Sequence, residues 1–231
     1  MKTVFIADAH LKGLDDPCQA SVAGFIDGLS GIDALVILGD FFENWPGENV
    51  VALRQYEPVL SALVRLKEQG AEIVYVEGNH DFFMGGFFTQ TLGAWVCPDA
   101  YEAAIDGRRI YAVHGDAISM TLIYRLWRGF LRSGLCRLIV AAMGPDIAWS
   151  LGIKLAHRSR TYSGNGMAVD AAIMSFAQTK IDAGVNIVVS AHSHQAGVHQ
   201  IGGGVYANPG SLRDAMSHLV MDGGVLRVVR R

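Results

Sequence analysis

Short apolar runs, each closed by a polar cluster, recur along the chain. Thr3–Ala7, Ala34–Leu38, Ile73–Val76, Arg109–Val113 and Asn186–Ser190 are rich in β-branched and aliphatic residues and end in turn-forming ones. They are too short for helices, so they read as buried strands. Val205–Ala207 is a shorter run of the same kind. Leu219–Met221 and Val225–Val229 flank Asp222-Gly223-Gly224 as a closing hairpin. Within Gln19–Leu29, Val22, Phe25, Ile26 and Leu29 repeat at the spacing of one helical face. Leu53, Tyr56, Leu60, Leu63, Val64 and Leu66 do so within Val50–Glu68, which is expected to form one helix. Strands alternating with helices imply an α/β fold, and 231 residues suffice for one large domain spanning 1–231.

The stretch 117–160 interrupts this alternation, being too long for a simple crossover between the fourth and fifth strands. Two amphipathic helices are expected, about Thr121–Arg132 and Asp146–His157. Leu126, Trp127 and Phe130 stand out among many apolar positions. Seven basic residues (Arg125, Arg128, Arg132, Arg137, Lys154, Arg158, Arg160) face one acid, Asp146, a local charge of +6 in a chain of net −3. Such a segment is either a helical hairpin packed on the sheet or a lid that holds acyl chains and meets anionic lipid. The charge asymmetry favours the lid.

Composition narrows the class. About half the residues are apolar and 18% are charged, which places the chain among folded globular proteins. The net charge gives no reason to expect nucleic-acid binding. Three scattered cysteines point to a reducing compartment without a disulfide framework. The first residues reach Asp8 too soon for a signal-peptide core, and no apolar run approaches the ~20 residues that span a bilayer. A cytoplasmic protein is expected, with membrane-surface contact possible and no obligate protein partner.

The polar clusters at the strand ends carry the chemistry. They read Asp8-Ala9-His10, Gly39-Asp40, Gly78-Asn79-His80-Asp81, His114-Gly115-Asp116 and His192-Ser193-His194. Sites in open α/β sheets form at the carboxyl ends of strands. Asp8, His10, Asp40, Asn79, His114, His192 and His194 mix carboxylate, amide and imidazole donors, which suits Mn²⁺, Fe²⁺ or Zn²⁺. Seven donors are too many for one ion and suit two that share Asp40. His80 can hold or pass a proton near neutral pH, and Asp81 can orient its imidazole, so this pair is the catalytic candidate. His157, His199 and His218 fall off the pattern and read as structural or surface residues.

As an ordered set, these motifs resemble those of the calcineurin-like metallophosphoesterases. The resemblance implies a β-sandwich of two mixed sheets flanked by helices. It also implies one metal on Asp8, His10, Asp40 and His194, and another on Asp40, Asn79, His114 and His192. The implied reaction is phosphoryl transfer to water, the paired cations, most often Mn²⁺, lowering the pKa of a bridging water. The helical stretch further resembles one branch, the UDP-2,3-diacylglucosamine diphosphatases of lipid A biosynthesis. In that branch a lid at this position ends in an isoleucine-alanine helix and a Ser–basic pair, similar to Ile147-Ala148 and Ser159-Arg160 here. That likeness implies a lipid-linked sugar nucleotide cleaved to UMP and 2,3-diacylglucosamine 1-phosphate at the cytoplasmic face of the inner membrane. Asn79, His80, Leu126, Trp127, Phe130, Ser159 and Arg160 are then substrate-contact candidates. The chain departs from the branch at His80, where the branch has arginine, and in lacking a lysine shortly after Ser159-Arg160. The alternative is a phosphoesterase acting on another phosphorylated lipid, a soluble phosphodiester or a phosphoprotein.

Overall fold

The structure is a computed structural model that describes residues 1–45, 47–160 and 166–230, without the side chains of 157–160 and 166–168. Its strands are Lys2–Ile6 (β1), Ala34–Leu38 (β2), Glu72–Val76 (β3), Trp95–Cys97 (β4), Ala100–Ile105 (β5), Arg108–Val113 (β6), Ile187–Ser190 (β7), Gly197–Ile201 (β8), Gly204–Asn208 (β9), His218–Asp222 (β10) and Val225–Val229 (β11). They form two mixed sheets, of order β11-β10-β1-β2-β3-β4 and β5-β6-β7-β9-β8. The two-residue period of a strand decides the layers. Phe5, Val36, Leu38, Val74 and Val76 point one way and pack against Ile110, Ala112, Ile187 and Val189 of the second sheet. Val4, Ile6, Leu35, Ile37 and Tyr75 point the other way, into a core shared with helices Pro17–Asp27 (α1) and Glu57–Glu68 (α3). Helix Gly166–Asp182 (α7) covers the second sheet with Ile173, Ala177 and Ile181 against Val188 and Tyr206. The fold is thus α/β, two mixed sheets flanked by helices.

Several elements differ from the sequence reading. Val50–Glu68 is two helices, Val50–Gln55 (α2) and α3, parted at Tyr56. Pro58 is the cause: it lacks an N–H and its ring opposes the carbonyl four residues back, so it sits in the first turn of a new helix. The strand β5 was missed although Asp106-Gly107, both at positive φ, is a strong hairpin turn joining it to β6. The short β4 and the edge strand β8 lack the apolar runs used to find strands. The helix α7 was not foreseen.

The stretch after β6 holds three helices rather than two: Leu122–Leu131 (α4), Gly134–Met143 (α5) and Pro145–Arg160 (α6). Ser133 caps α5 by accepting from the Cys136 amide, and Gly144 (φ +77°) before Pro145 ends it. Helix α6 docks on α2. Trp149 packs on Tyr56 with ring centroids 5.4 Å apart, and a Cβ on Gly152 would fall within 2.5 Å of Asn44 side-chain atoms. No single helix among the described residues is long and apolar enough to cross a membrane; α5 and α6 together are, but they meet at a 119° bend.

Candidate metal centre

The carboxyl ends of β1, β2 and β3 on one sheet and of β6 and β7 on the other meet at one rim of the sandwich. There the five polar clusters converge. Asp8, His10, Asp40, His192 and His194 all have left-handed backbone, with φ of 52°, 43°, 49°, 67° and 60°. Non-glycine residues adopt this conformation uncommonly, and such strain gathers at functional sites. Glycine is required beside them: a Cβ on Gly39 would lie 2.6 Å from Gly78 Cα, and one on Gly78 within 2.9 Å of both Asp40 and Asp81 carboxylates. The two turns therefore touch backbone to backbone, which only glycine permits.

Three overlapping groups have ligand atoms close enough to share an ion: Asp8, His10 and His194; Asp40, His114 and His192; and His10, Asp40 and His80. Asp40 lies among the imidazoles, its Oδ2 being 3.5 Å from His114 Nε2, 3.8 Å from His10 Nε2 and 4.0 Å from His80 Nε2. His194 Nε2 is 3.6 Å from Asp8 Oδ1. Asn79 Oδ1 lies 3.3 Å from His114 Nε2. His114 Nδ1 donates to the Leu38 carbonyl at 2.8 Å, which aims Nε2 at the Asp40 and Asn79 oxygens. Asp8 Oδ1 is fully buried with no hydrogen-bond donor among the described residues. Acceptors facing acceptors in a buried pocket call for positive charge, so the residues fit divalent cations.

The titration behaviour agrees. Burial alone would lower the His114 pKa, yet Asp40, with Asp8 and Asp116, pushes it up to about 10. Burial would raise Asp40, but His114, His80 and His10 hold it well below the usual carboxylate range. Asp8 is lowered by His194 and His114 against the same burial. His192 is lowered, by burial and by the neighbouring His114.

Asp81 has a different place from the one its sequence position suggests. Its two oxygens accept from the amides of Asp40, Phe41, Phe42 and Gly78 and from the Tyr75 hydroxyl. It thus ties the Asp40 turn to the Gly78 turn. Burial, then the charge of Asp40, pushes its pKa up to about 6, so at neutral pH it keeps the ionised form those five donors require. The His80 ring instead donates from Nδ1 to the Glu43 carbonyl at 3.0 Å, which fixes its tautomer. The expectation that Asp81 orients the His80 imidazole gives way to this arrangement.

Four supporting groups surround the ligands, of which Ser211, Arg213 and Asn208 escaped the sequence reading. Glu43 is fully buried with Oε2 3.5 Å from His10 Nδ1. Ser211 donates to the Asp8 carbonyl, and Arg213 from helix Leu212–Ala215 (α8) donates to the carbonyls of Ala9 and His10 and to Asp16. Asn208 donates to Ser193 Oγ and, at 3.4 Å, to the Ala191 carbonyl. The turn Asn208-Pro209-Gly210-Ser211 at the end of β9 was the available signal. His218 packs on Phe25 and His199 on Tyr206, away from the centre; the His157 side chain lies outside the described residues.

Beside the centre opens a cavity of about 560 Å³. Asn79, His80 and Glu43 form one end, and α4, α5 and α6 wall the rest with Trp127, Phe130, Leu131, Ile139, Val140 and Leu155. Trp127 and Phe130 thus line this cavity. Leu126 does not: it is 67% exposed on the outer side of α4. The side chains of Ser159 and Arg160 lie outside the described residues. The basic residues are not a uniformly solvated face either. Arg128 pairs with Asp116 at 2.9 Å, and Arg132 with Glu77 at 3.0 Å, holding α4 to the body.

Known proteins place this arrangement. A UDP-2,3-diacylglucosamine hydrolase of Serratia proteamaculans is 29% identical over 208 residues, 87% of this chain and 85% of that protein. One of Ralstonia nicotianae is 29% identical over 215 residues, 87% and 80% of the two chains. Among solved structures, an archaeal phosphodiesterase superposes with a TM-score of 0.56 at 13% identity over the full length of both chains. The E. coli phosphoesterase Yfce gives 0.51 at 17%, covering all of this chain and 93% of that one. At such identities these two show a shared fold. The model of the calcineurin-like phosphoesterases matches residues 1–196, from β1 through both terminal histidines of the centre, and the chain belongs to the calcineurin-like phosphoesterase family.

Proposed function

We propose that this chain hydrolyses UDP-2,3-diacylglucosamine to UMP and 2,3-diacylglucosamine 1-phosphate, as one phosphoesterase domain with a helical lid formed by the 117–160 stretch. The observation that carries this reading is the cavity, which runs from Asn79 and His80 at the polar centre into the apolar walls of α4–α6. Its volume lies within the ~300–1,000 Å³ of small-molecule sites. A diacyl sugar nucleotide needs both ends of it. Its acyl chains gain roughly 0.8 kcal/mol per buried CH₂ from the apolar end. Its diphosphate needs the charged end. A water-soluble diester has no use for the apolar part. The curated relatives acting on this substrate add weight.

Two divalent ions, Mn²⁺ in this reading, would be held by Asp8, His10, Asp40 and His194 and by Asp40, Asn79, His114 and His192. When bound, such a pair acidifies a shared water and neutralises charge on the phosphoryl oxygens. The protein's own groups do the rest. His114, fixed by the Leu38 carbonyl, keeps Nε2 aimed at the centre. His80, fixed by Glu43, presents Nε2 between the centre and the cavity, where its imidazolium form can donate to a phosphate or to the leaving oxygen. Trp127 and Phe130 bind the chains and exclude water. Leu122, Ile123, Leu126, Leu135 and Leu138, exposed on α4 and α5, would dock reversibly on the cytoplasmic face of the inner membrane.

The test is turnover of UDP-2,3-diacylglucosamine beside bis-p-nitrophenyl phosphate, with Mn²⁺, with and without detergent. Release of UMP from the lipid supports the reading. Cleavage of the soluble diester alone would leave a general phosphodiesterase.

A further inference from the structure

Two arginines one turn apart, Arg128 on α4 and Arg132 at its C-terminal cap, reach the two turns that carry Asn79 and His114. Arg132 Nη2 donates to the Gly78 carbonyl at 2.9 Å, and Nη1 donates to Glu77 Oε2 at 3.0 Å and to the Pro98 carbonyl at 2.7 Å. Glu77 closes the same loop from within, accepting the Phe83 amide on its other oxygen at 2.7 Å. One side chain therefore grips Glu77 and Gly78 at the start of the Gly78-Asn79-His80 turn and ties them to Pro98 beyond β4. Arg128 Nε donates to Asp116 Oδ2 at 2.9 Å, where the Tyr124 hydroxyl of the same helix also donates. Asp116 is two residues beyond His114 and almost fully buried. The other half of the centre is held from elsewhere: Arg213 of α8 donates to the Ala9 and His10 carbonyls and to Asp16.

From this division we infer that α4 is a positioning element for one half of the cation pair, with Arg132 and Arg128 the positioning residues. The inference rests on the two-cation reading above. Gly78 precedes the Asn79 ligand directly, so a shift of its carbonyl turns the Asn79 amide away from His114. The Asp8, His10 and His194 half, anchored by Arg213, does not depend on α4. The helix that walls the cavity with Trp127 and Leu131 is thereby also part of the metal centre. Both arginines line the cavity, and both hold the centre through the backbone or through a second carboxylate. Residues that orient metal ligands in this way typically change affinity ~10–100-fold when removed.

The experiment is a Mn²⁺ titration of chelator-stripped protein, followed by calorimetry and by the EPR signal of free Mn²⁺, with thermal melts alongside. Wild type, Arg132→Lys and Arg132→Ala are compared. Lysine keeps a charge for Glu77 but cannot hold the Gly78 and Pro98 carbonyls together, and it guards against a variant that fails to fold. The expected result is two sites in wild type, and in Arg132→Ala one site weakened ~10–100-fold with the other unchanged, Arg132→Lys falling between. A merely structural arginine would lower the melting temperature without separating the sites. Two sites of wild-type affinity in Arg132→Ala, or equal weakening of both, would overturn the inference. Fewer than two ions in wild type would sink the two-cation reading itself, and this inference with it.

Discussion

Replacing Asp81 with asparagine should unfold this protein more readily long before it affects the chemistry. Asp81 Oδ1 accepts the amides of Asp40 and Gly78, both at 2.9 Å. Oδ2 accepts Phe41 at 2.7 Å, Phe42 at 3.2 Å and the Tyr75 hydroxyl at 2.6 Å. Asparagine keeps the shape but turns one oxygen into a donor. Whichever way the amide sits, it faces two or three buried donors. A buried donor left without an acceptor costs about 1–3 kcal/mol, so two lost bonds cost about 2–6 kcal/mol. That is a large share of the ~5–15 kcal/mol by which a domain is stable. Alanine loses all five bonds and should not accumulate folded.

The assay is urea unfolding of the chelator-stripped Asp81→Asn variant, with kcat measured per folded molecule after Mn²⁺ is restored. The expected outcome is a lower midpoint at an unchanged m-value, and a kcat that falls only as far as the Asp40 turn loosens. A variant with the wild-type midpoint and a collapsed kcat would refute the reasoning and return Asp81 to a catalytic role beside His80.

His80→Gln should lower kcat ~10²-fold or more while Mn²⁺ stoichiometry, read by metal analysis, stays as in wild type. Phe130→Asp should raise KM for the lipid substrate and spare the soluble diester, because Phe130 lines the cavity; Leu126→Asp should leave turnover in detergent intact and weaken sedimentation with anionic vesicles. Asp16→Asn should destabilise the fold at neutral pH and lose that effect in acid. Burial raises the Asp16 pKa, but the Arg213 hydrogen bond and the amides of Lys12 and Cys18 lower it overall. Its contribution is therefore complete above the unfolded value, ~3.9, and disappears as pH falls through the lower folded one, as paired urea titrations of variant and wild type would show.

The centre was legible because a strand announces its own end. Each of Asp8, Asp40, Asn79, His114 and His192 lies within three residues of the end of an apolar run, and parallel pairing puts those ends at one rim. Asp81 was misread because adjacency in sequence is not adjacency in a tight turn. Its partners are backbone amides some forty residues earlier, and no side-chain pattern marks an amide. The arginines of α4 were misread for a related reason. Charge was counted within 117–160, but Arg128 and Arg132 are neutralised by Asp116 and Glu77, which lie outside it. Leu126 and Trp127 looked equivalent by type. Only the latter lines the cavity that α4 forms with α5 and α6, and helix–helix placement is not written in either residue.

The left-handed turns raise the question of what holds them. Five ligand-type residues at positive φ cost about 1 kcal/mol each or more, ~5 kcal/mol in all, comparable to the net stability of a domain. A flexible rim would relax and lose the site. Here each strained residue follows a strand whose last inward side chains, Ala7, Leu38 and Val76 on one sheet and Val189 on the other, are locked in the inter-sheet core. The loops beyond are tied by groups that bind no ion. Asp81 holds the Asp40 turn to the Gly78 turn, Arg213 the Ala9–His10 turn and Arg132 the Gly78 turn. The strain is borne by packing on one side and by buried charge on the other, so the geometry of the donors is set by the fold and is in place for cations to bind.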